Sequence, residues 1–381
     1  MQNSLFDLSP LLQVMLVGML VSLLPLVWVL IRTRGQGNAG RWKALTWITL
    51  FLTFDLVLFG AFTRLSDSGL GCPDWPGCYG SASPLGAQVH IDAAQTAQPS
   101  GPVTTGKAWI EMLHRYLATG VGFLMTILAV SAWFLHKSPS RQVLINPWWP
   151  TLAWVWVCIQ GAFGALTVTM KLFPAIVTLH LLGGYVLLAL LTAQAVLQER
   201  LQNPTRRFVV NPALRYWLLG ALVWLMLQAA SGAWVSTQYA VLACTEFPRC
   251  QNSWWPEMNF VQAFDLWHPL GVDSTGKQMT FQALTAIHYT HRLLAMVTLL
   301  LLASLSAYLI KQIPPLRRPA QVLLALLVLQ LFTGLSNVVL GWPLAAAILH
   351  TGGAGAMVVV LVWMLGLGTL DNKNFGKMND R

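Results

Sequence analysis

Four histidines inside long apolar runs are the residues of this 381-residue chain whose type and spacing most clearly suggest chemistry. His114 and His180 lie in the first half, and His291 and His350 lie in the second half. Ionisable side chains are costly in lipid, so they usually mark a functional site. Two imidazoles from facing helices are the usual axial ligands of a buried b-type haem. The two pairs therefore predict bis-histidine haem binding within a membrane.

A carboxyl group accompanies only the first pair. Glu111 precedes His114 by three residues, so both side chains face the same side of one helix, whereas the second half has His288 at the matching position. A carboxyl beside a haem can act as a general acid or base. A structural hydrogen bond to a neighbouring helix or to Arg115 is the alternative interpretation. A di-iron carboxylate site would need several buried acids, and only Asp55 and Glu111 lie well inside apolar runs, so we reject it.

Arginines directly follow the first histidine of each pair, at Arg115 and Arg292. A buried guanidinium needs an anionic partner. Haem propionates are candidates for both arginines, and Glu111 is another candidate. The sequence does not choose between them.

Glycine clusters follow the second histidine of each pair. They would let a flat macrocycle approach the backbone, although packing between helices explains such glycines equally well. The clusters are Gly183 and Gly184 in the first half and Gly352, Gly353 and Gly355 in the second half.

Two cysteine pairs flank short loop motifs. Cys72 and Cys78 enclose PDWPG, and Cys244 and Cys250 enclose TEFPR. The charge pattern places both loops outside the cell, where an oxidising environment favours a disulfide in each. A metal site or a redox-active dithiol is the alternative, and the first pair, above the first histidine pair, is the better redox candidate. Cys158 lies within a span and is expected to be a packed thiol.

The composition defines the class of protein that must hold these residues. The chain is 56% hydrophobic and only 9% charged, against about 25% charged residues in soluble proteins. Apolar runs of membrane length therefore predict an all-α polytopic membrane protein. The first run has no positive n-region or cleavage site, so we expect a retained helix. The predicted spans are 11–31, 44–63, 109–135, 148–169, 173–197, 213–237, 284–310, 319–341 and 344–369.

The net charge of +10 does not suggest nucleic acid, because the basic residues cluster in short loops that all fall on one side of the predicted membrane. This pattern predicts an external N-terminus, a cytoplasmic C-terminus and two long external loops, 64–108 and 238–283. The polar segment 81–107 is expected to be a mobile loop insertion. The basic residues are Arg32, Arg34, Arg41, Lys43, Lys137, Arg141, Arg200, Arg206, Arg207, Arg215, Lys311, Arg317, Arg318, Lys373, Lys377 and Arg381.

An internal repeat relates the two halves. SGAWVS at 231–236 resembles FGAFTR at 59–64, and the two cysteine pairs keep the same offset of 172 positions. His114-Arg115 matches His291-Arg292, and a run from Gln160 to Gly183 matches Gln330 to Gly353 at an offset of 170. We predict two pseudo-symmetric four-helix bundles in a parallel repeat, plus an extra N-terminal helix. The predicted domains are 1–43, 44–200 and 201–381.

Five motifs together resemble the haem A synthase family over about 44–369. They are EMLHRYLATG, HYTHRLLA, TLHLLGG, ILHTGGAG and CPDWPGC. The resemblance implies a bacterial inner membrane or its mitochondrial counterpart and oxidation of the C8 methyl of haem O to a formyl group, which gives haem A for cytochrome oxidase. This change removes four electrons, and two successive hydroxylations followed by loss of water from the gem-diol are a plausible route.

The resemblance also implies roles for individual residues. His291 and His350 would bind a haem b cofactor, and His114 and His180 would bind the substrate haem. Glu111 would be the catalytic carboxylate, and the first-loop cysteines would be implicated in activity. Haem O synthase, assembly factors of cytochrome oxidase, membrane lipid and a second copy of the chain are the expected partners. The run at 11–31 and the longer first loop depart from the family pattern.

Two other functions fit the histidine pairs. A di-haem electron-transfer cytochrome, such as a quinone or ferric reductase, would use both haems as fixed cofactors and would not need Glu111. A haem carrier or transporter would release haem unchanged.

Overall fold

The computed structural model describes residues 9–137, 145–203 and 208–369. Within these residues nine helices are long and apolar enough to cross a membrane, which confirms the all-α polytopic prediction. The helices are α1 (Ser9–Arg32), α2 (Asn38–Leu65), α3 (Gln88–Ala97), α4 (Thr105–His136), α5 (Trp148–Thr169), α6 (Pro174–Gln202), α7 (Pro212–Thr237), α8 (Phe260–Ala263), α9 (Phe281–Gln312), α10 (Arg317–Val339) and α11 (Leu344–Leu367). The basic residues Arg141, Arg206, Arg207, Lys373, Lys377 and Arg381 lie outside the described residues.

Minor elements complete the chain. Two short 3-10 helices span Ala240–Ala243 and Pro314–Leu316. Strand β1 (Phe208–Val209) pairs in parallel with β2 (Gly368–Thr369), which ties the start of α7 to the end of α11.

The two helices that carry the E/H-x-x-H-R motifs begin in the same way. The side chain of Thr104 accepts a hydrogen bond from the backbone N–H of Lys107 at the start of α4. Thr280 caps α9 likewise, by accepting from the N–H of Ala283. An N-cap of this kind satisfies one of the free N–H groups of a helix and fixes where it begins. The cap therefore sets the register of each motif relative to the loop before it.

The membrane helices pack in two closed sets of four. In the first set α2 packs on α4, α4 on α5, α5 on α6 and α6 on α2; in the second, α7, α9, α10 and α11 form the same cycle. Helices α6 and α11 form the centre of the contact between the sets. This packing agrees with two four-helix halves, while the parallel repeat that would relate them stays a prediction.

Close approach of α6 and α11 depends on a small residue. A Cβ atom at Gly355 would lie 3.2 Å from the ring of Tyr185 and 3.4 Å from Leu188. The hydroxyl of Tyr185 also donates to the backbone carbonyl of Thr351 at 2.7 Å, directly after His350. In lipid, helix association relies on such packing and hydrogen bonds, because the hydrophobic effect contributes little between helices that are already out of water. This contact therefore couples a helix of the first half to the helix of the second half that carries His350.

The extra helix α1 packs outside the first set, mainly on α4. Gly18 meets the side chain of Thr119, whose hydroxyl lies 3.5 Å from the carbonyl of Val14. Val14 itself is buried with Met112 and the first cysteine pair. Helix α1 is thus joined to the wall that carries Glu111 and His114.

The polar segment 81–107 differs from the expected irregular loop. It contains helix α3, whose Ile91 is fully buried in a cluster with Met112, Tyr116 and the first cysteine pair. Val89 and Ile91 are the two large apolar residues of this ten-residue helix, too few to give a periodic signal that predicts a helix, and the packing partner determines the outcome.

Candidate functional site

All four predicted histidines line one cavity of about 1020 Å³ that extends through both halves. This volume lies at the upper end of the roughly 300–1,000 Å³ range of small-molecule sites. His114 comes from α4, His180 from α6, His291 from α9 and His350 from α11. The cavity therefore has room for large planar ligands, with two imidazoles available in each half.

Each histidine ring packs against a glycine of a neighbouring helix. A Cβ atom built on the glycine would lie between 2.9 and 3.5 Å from Cε1 of the ring. The pairs are Gly60 with His114, Gly164 with His180, Gly232 with His291, and Gly334 with His350. A larger residue would displace three of the four rings, so these glycines determine where the imidazoles stand.

In the second half, both Nδ1 atoms have hydroxyl neighbours. Nδ1 of His291 lies 2.8 Å from Oγ of Ser231, and Nδ1 of His350 lies 3.0 Å from Oγ1 of Thr333. The amide nitrogen of Gln228 lies 3.1 Å from the first of these atoms. The Nε2 atoms of all four rings are free of hydrogen bonds to any part of the chain that the structure describes.

In the first half, neither Nδ1 has a partner. Those of His114 and His180 are buried and make no hydrogen bond to residues 9–137, 145–203 or 208–369. Instead, the ring of Phe59 stacks on that of His114, with a centroid separation of 6.2 Å and an angle of 10° between planes. The two halves thus share the glycine contacts but differ around Nδ1.

Glu111 is tied to the loop that carries the first cysteine pair. Its carboxylate accepts a hydrogen bond from the backbone N–H of Cys72 at 2.8 Å and forms an ion pair with Arg115. Arg115 also donates to the backbone carbonyls of Pro76, at 3.1 Å, and Gly77. Glu111 is therefore the anionic partner of Arg115 in the described structure. Both side chains also line the cavity, so they are placed to meet a ligand there.

Arg292 holds the second loop without a carboxylate. It donates to the backbone carbonyls of Cys244 at 2.6 Å and Glu246 at 2.8 Å. Its Nε lies 3.3 Å from Nε2 of His288, the residue that matches Glu111. Each arginine therefore fastens a loop over its own half, but the acid occurs only in the first.

The cysteines form disulfides Cys72–Cys78 and Cys244–Cys250, and all four are fully buried. Between them, Trp75 and Phe247 occupy matching loop positions and both line the cavity. The loops therefore close the end of the cavity at which the arginines lie. No cluster of three or more metal-binding side chains occurs among the described residues.

A contact between the halves joins these loops. Arg64, at the end of α2, donates to the hydroxyl of Tyr239 at 3.0 Å and to the carbonyl of Ser236 at 2.8 Å. The hydroxyl of Tyr239 in turn donates to Asp67 at 2.9 Å. Burial raises the pKa of Tyr239, so its hydroxyl remains a donor at neutral pH.

One expectation needs correction. Cys158 is exposed and lines the cavity, so it is not a packed thiol. Of the glycine clusters, Gly183 and Gly353 meet the amides of Gln160 and Gln330, which fits the packing interpretation, whereas Gly184 lines the cavity.

The sequence interpretation missed the glycines behind the histidines and the residues around Nδ1. Ser231 and Thr333 match Phe59 and Phe163 at the repeat offsets of 172 and 170. A comparison of the two repeats could have revealed these two hydroxyl residues, because at both positions the second half has a hydroxyl side chain where the first half has phenylalanine.

Known proteins resemble the chain over most of its length. A family model described as cytochrome oxidase assembly protein matches residues 43–362, which include all four histidines and Glu111 but not α1. A heme A synthase of Shewanella oneidensis is 38% identical over 326 residues, covering 84% of this chain and 94% of the relative. A heme A synthase of Bacillus cereus is 24% identical over 344 residues, covering 87% of this chain and 96% of the relative.

Proposed function

Since the chain belongs to the cytochrome oxidase assembly protein family, we propose that it is a haem A synthase, a multi-pass membrane enzyme that converts haem O into haem A. The observation that carries this proposal is the pair of histidine sites on one cavity, with a carboxylate beside only one of them. Two sites of similar design, of which one has an additional acid, suit one redox cofactor and one reaction centre.

The second half suits a resident haem b. His291 and His350 line the cavity with Nε2 free of hydrogen bonds to the described residues, hydroxyls lie at their Nδ1 atoms, and glycines pack behind both rings. Neutral imidazoles with an oriented Nδ1–H are the usual axial ligands of haem iron. When bound, haem b supplies a reversible one-electron carrier.

The first half suits the substrate. His114 and His180 would hold the iron of haem O, and Trp75 of the first loop would contact the macrocycle from the loop side of the cavity. The reaction replaces two hydrogens of the C8 methyl by one oxygen and removes four electrons. Each of two hydroxylations that take oxygen from water releases two electrons and two protons, and loss of water from the gem-diol then gives the formyl group. The overall change, R–CH3 + H2O → R–CHO + 4 H⁺ + 4 e⁻, therefore needs an external electron acceptor.

Glu111 would move protons in the last of these steps. Dehydration of a gem-diol needs a proton taken from one hydroxyl and a proton returned to the departing one. A carboxylate performs both tasks when it lies within hydrogen-bond reach of the substrate. The ion pair with Arg115 and the hydrogen bond from Cys72 hold the carboxylate in place at the cavity wall.

The same proposal assigns the arrangement in the membrane. The protein would lie in a bacterial inner membrane with a periplasmic N-terminus and a cytoplasmic C-terminus, because the basic loops favour that orientation. Residues 44–200 would form the substrate half and 201–381 the haem b half, preceded by the extra segment 1–43. Haem O synthase would deliver the substrate, and assembly factors of cytochrome oxidase would receive the product.

Co-expression with a haem O synthase in a bacterial host that makes no haem A tests the function. Extracted haems should include a species that differs from haem O by one added oxygen and two lost hydrogens. A strain that carries the haem O synthase without this protein is the control. Haem O as the sole product, in cells that contain folded and haem-loaded protein, would contradict the proposal and favour an electron-transfer cytochrome or a carrier.

A further inference from the structure

We infer that hydrogen bonds at Nδ1 determine which haem is resident and which is exchanged. The second half anchors both of its imidazoles, so it keeps its haem; the first half leaves both unanchored, so it can release one. This inference rests on the proposed function, in which the first half must accept haem O and release haem A.

The hydroxyls of the second half are placed to accept a hydrogen bond from the rings. Oγ of Ser231 lies 2.7 Å from a backbone carbonyl to which it can donate its single proton, and Oγ1 of Thr333 lies 2.8 Å from another. With the protons so placed, each oxygen offers lone pairs to the ring. Nδ1 of His291 and of His350 then carries the proton, and this tautomer leaves the lone pair of Nε2 for iron.

The side-chain amide of Gln228 is compatible with the same tautomer. Its nitrogen lies 3.1 Å from Nδ1 of His291, while its oxygen is buried without a partner. The oxygen and nitrogen of an amide exchange places by rotation of the group. With the oxygen towards the ring, Gln228 would accept the Nδ1 proton together with Ser231, and its nitrogen would give up the 3.4 Å contact to the backbone carbonyl of His291.

The first half has no acceptor at the corresponding places. Phe59 occupies the position of Ser231, and its ring stacks on His114. Phe163 occupies the position of Thr333. Nδ1 of each first-half histidine is buried without a hydrogen bond to the described residues. No hydrogen bond to the described residues fixes the tautomer of either ring, so the imidazole is a weaker ligand.

The expected difference in haem affinity is large enough to distinguish a resident haem from an exchanged one. Loss of an outer partner of a metal-bound histidine typically lowers metal affinity about 10–100-fold. Both ligands differ between the halves, whereas the glycines that position the rings are the same. Haem affinity should therefore differ between the sites although all four ligands are histidines.

The first experiment removes the anchors from the second half. Thr333→Val should release haem b to excess apomyoglobin about 10–100-fold faster than the wild type. Ser231→Ala should have a smaller effect in the same direction, because the amide of Gln228 remains beside Nδ1 of His291, and the double variant Ser231→Ala/Gln228→Leu should reach the full effect. The midpoint potential of the remaining haem should rise, because a less basic imidazole stabilises ferric iron less. Thr333→Ser keeps the hydroxyl and should retain the wild-type rate.

The second experiment adds anchors to the first half. Phe59→Ser and Phe163→Thr should raise the haem content per chain of protein purified from haem-containing cells. Phe163→Val, which has a similar size to threonine but no hydroxyl, is the matched control and should not raise it. These first-half variants still test the inference if a second-half variant fails to fold.

The outcomes separate this inference from the function on which it rests. Unchanged haem release from Ser231→Ala and Thr333→Val, together with unchanged haem content in the first-half variants, would overturn the inference even if the wild type makes haem A. If the wild type leaves haem O unaltered, the enzyme proposal fails, while the release rates still decide whether Nδ1 bonds anchor haem.

Discussion

Replacement of Glu111 by glutamine separates a chemical role from a structural one. Glutamine has nearly the same shape and keeps an oxygen that can accept from the N–H of Cys72, but it removes the charge opposite Arg115. The change also removes the carboxyl group that would take and return protons. The first change costs folding stability, and the second lowers the reaction rate.

The structural cost should be moderate. A hydrogen bond to a charged group contributes about 1.5–3 kcal/mol, and removal of the only partner of a buried charge costs about 3–5 kcal/mol. Arg115 retains the carbonyls of Pro76 and Gly77, so the lower range applies. We expect Glu111→Gln to fold and to hold haem b.

The chemical cost should be larger. General acid–base catalysis contributes about 10²–10⁴-fold to a rate, or roughly 2.7–5.4 kcal/mol of activation free energy. Haem A formed per haem-loaded Glu111→Gln protein should therefore fall at least about 100-fold. Haem O or a partly oxidised alcohol should accumulate in its place.

The assay measures three quantities in the same membranes: protein amount, haem b absorbance and extracted haem A. Asp55→Asn is the matched control, because Asp55 is an exposed carboxyl of α2 that does not line the cavity. Normal haem A output per loaded Glu111→Gln protein would remove Glu111 from the mechanism. A parallel fall in protein, haem b and haem A would assign it a structural role.

Three further predictions concern the ligands, the thiols and the contact between the halves. Replacing His350 by alanine should abolish the resident haem b absorbance, whereas His180→Ala should retain it and stop turnover; four single histidine variants with wild-type spectra and activity would refute the ligand assignment. Intact-mass analysis after alkylation without reductant should show a label only on Cys158, because the structure joins the loop cysteines as disulfides, and four further labels would contradict this. Burial raises the pKa of Tyr239 in the folded protein, so its stabilising effect should be complete below its unfolded pKa, near pH 10, and should be lost as pH rises through the folded value. Thermal unfolding between pH 8 and pH 11 should show this alkaline loss in the wild type, and the same loss in Tyr239→Phe would refute the assignment.

The sequence alone determined the number of membrane helices and the histidines that face the cavity. A bilayer requires about 20 apolar residues for each helix, so composition and length define the spans almost without reference to packing. The predicted run 148–169 coincides with α5, and the ends of the other spans agree to within six residues. The paired histidines were identifiable because ionisable groups are rare in such runs and these recur at the repeat offset.

Contacts between distant segments were decided only by the tertiary structure. The ion pair of Glu111 with Arg115 follows helical spacing, but the hydrogen bond from Cys72 joins residues 39 positions apart. Nδ1 of His291 meets Ser231 across 60 positions. Such contacts depend on the rotation and depth of each helix against its neighbours, which hydrophobic periodicity restricts to a face but does not specify to an atom.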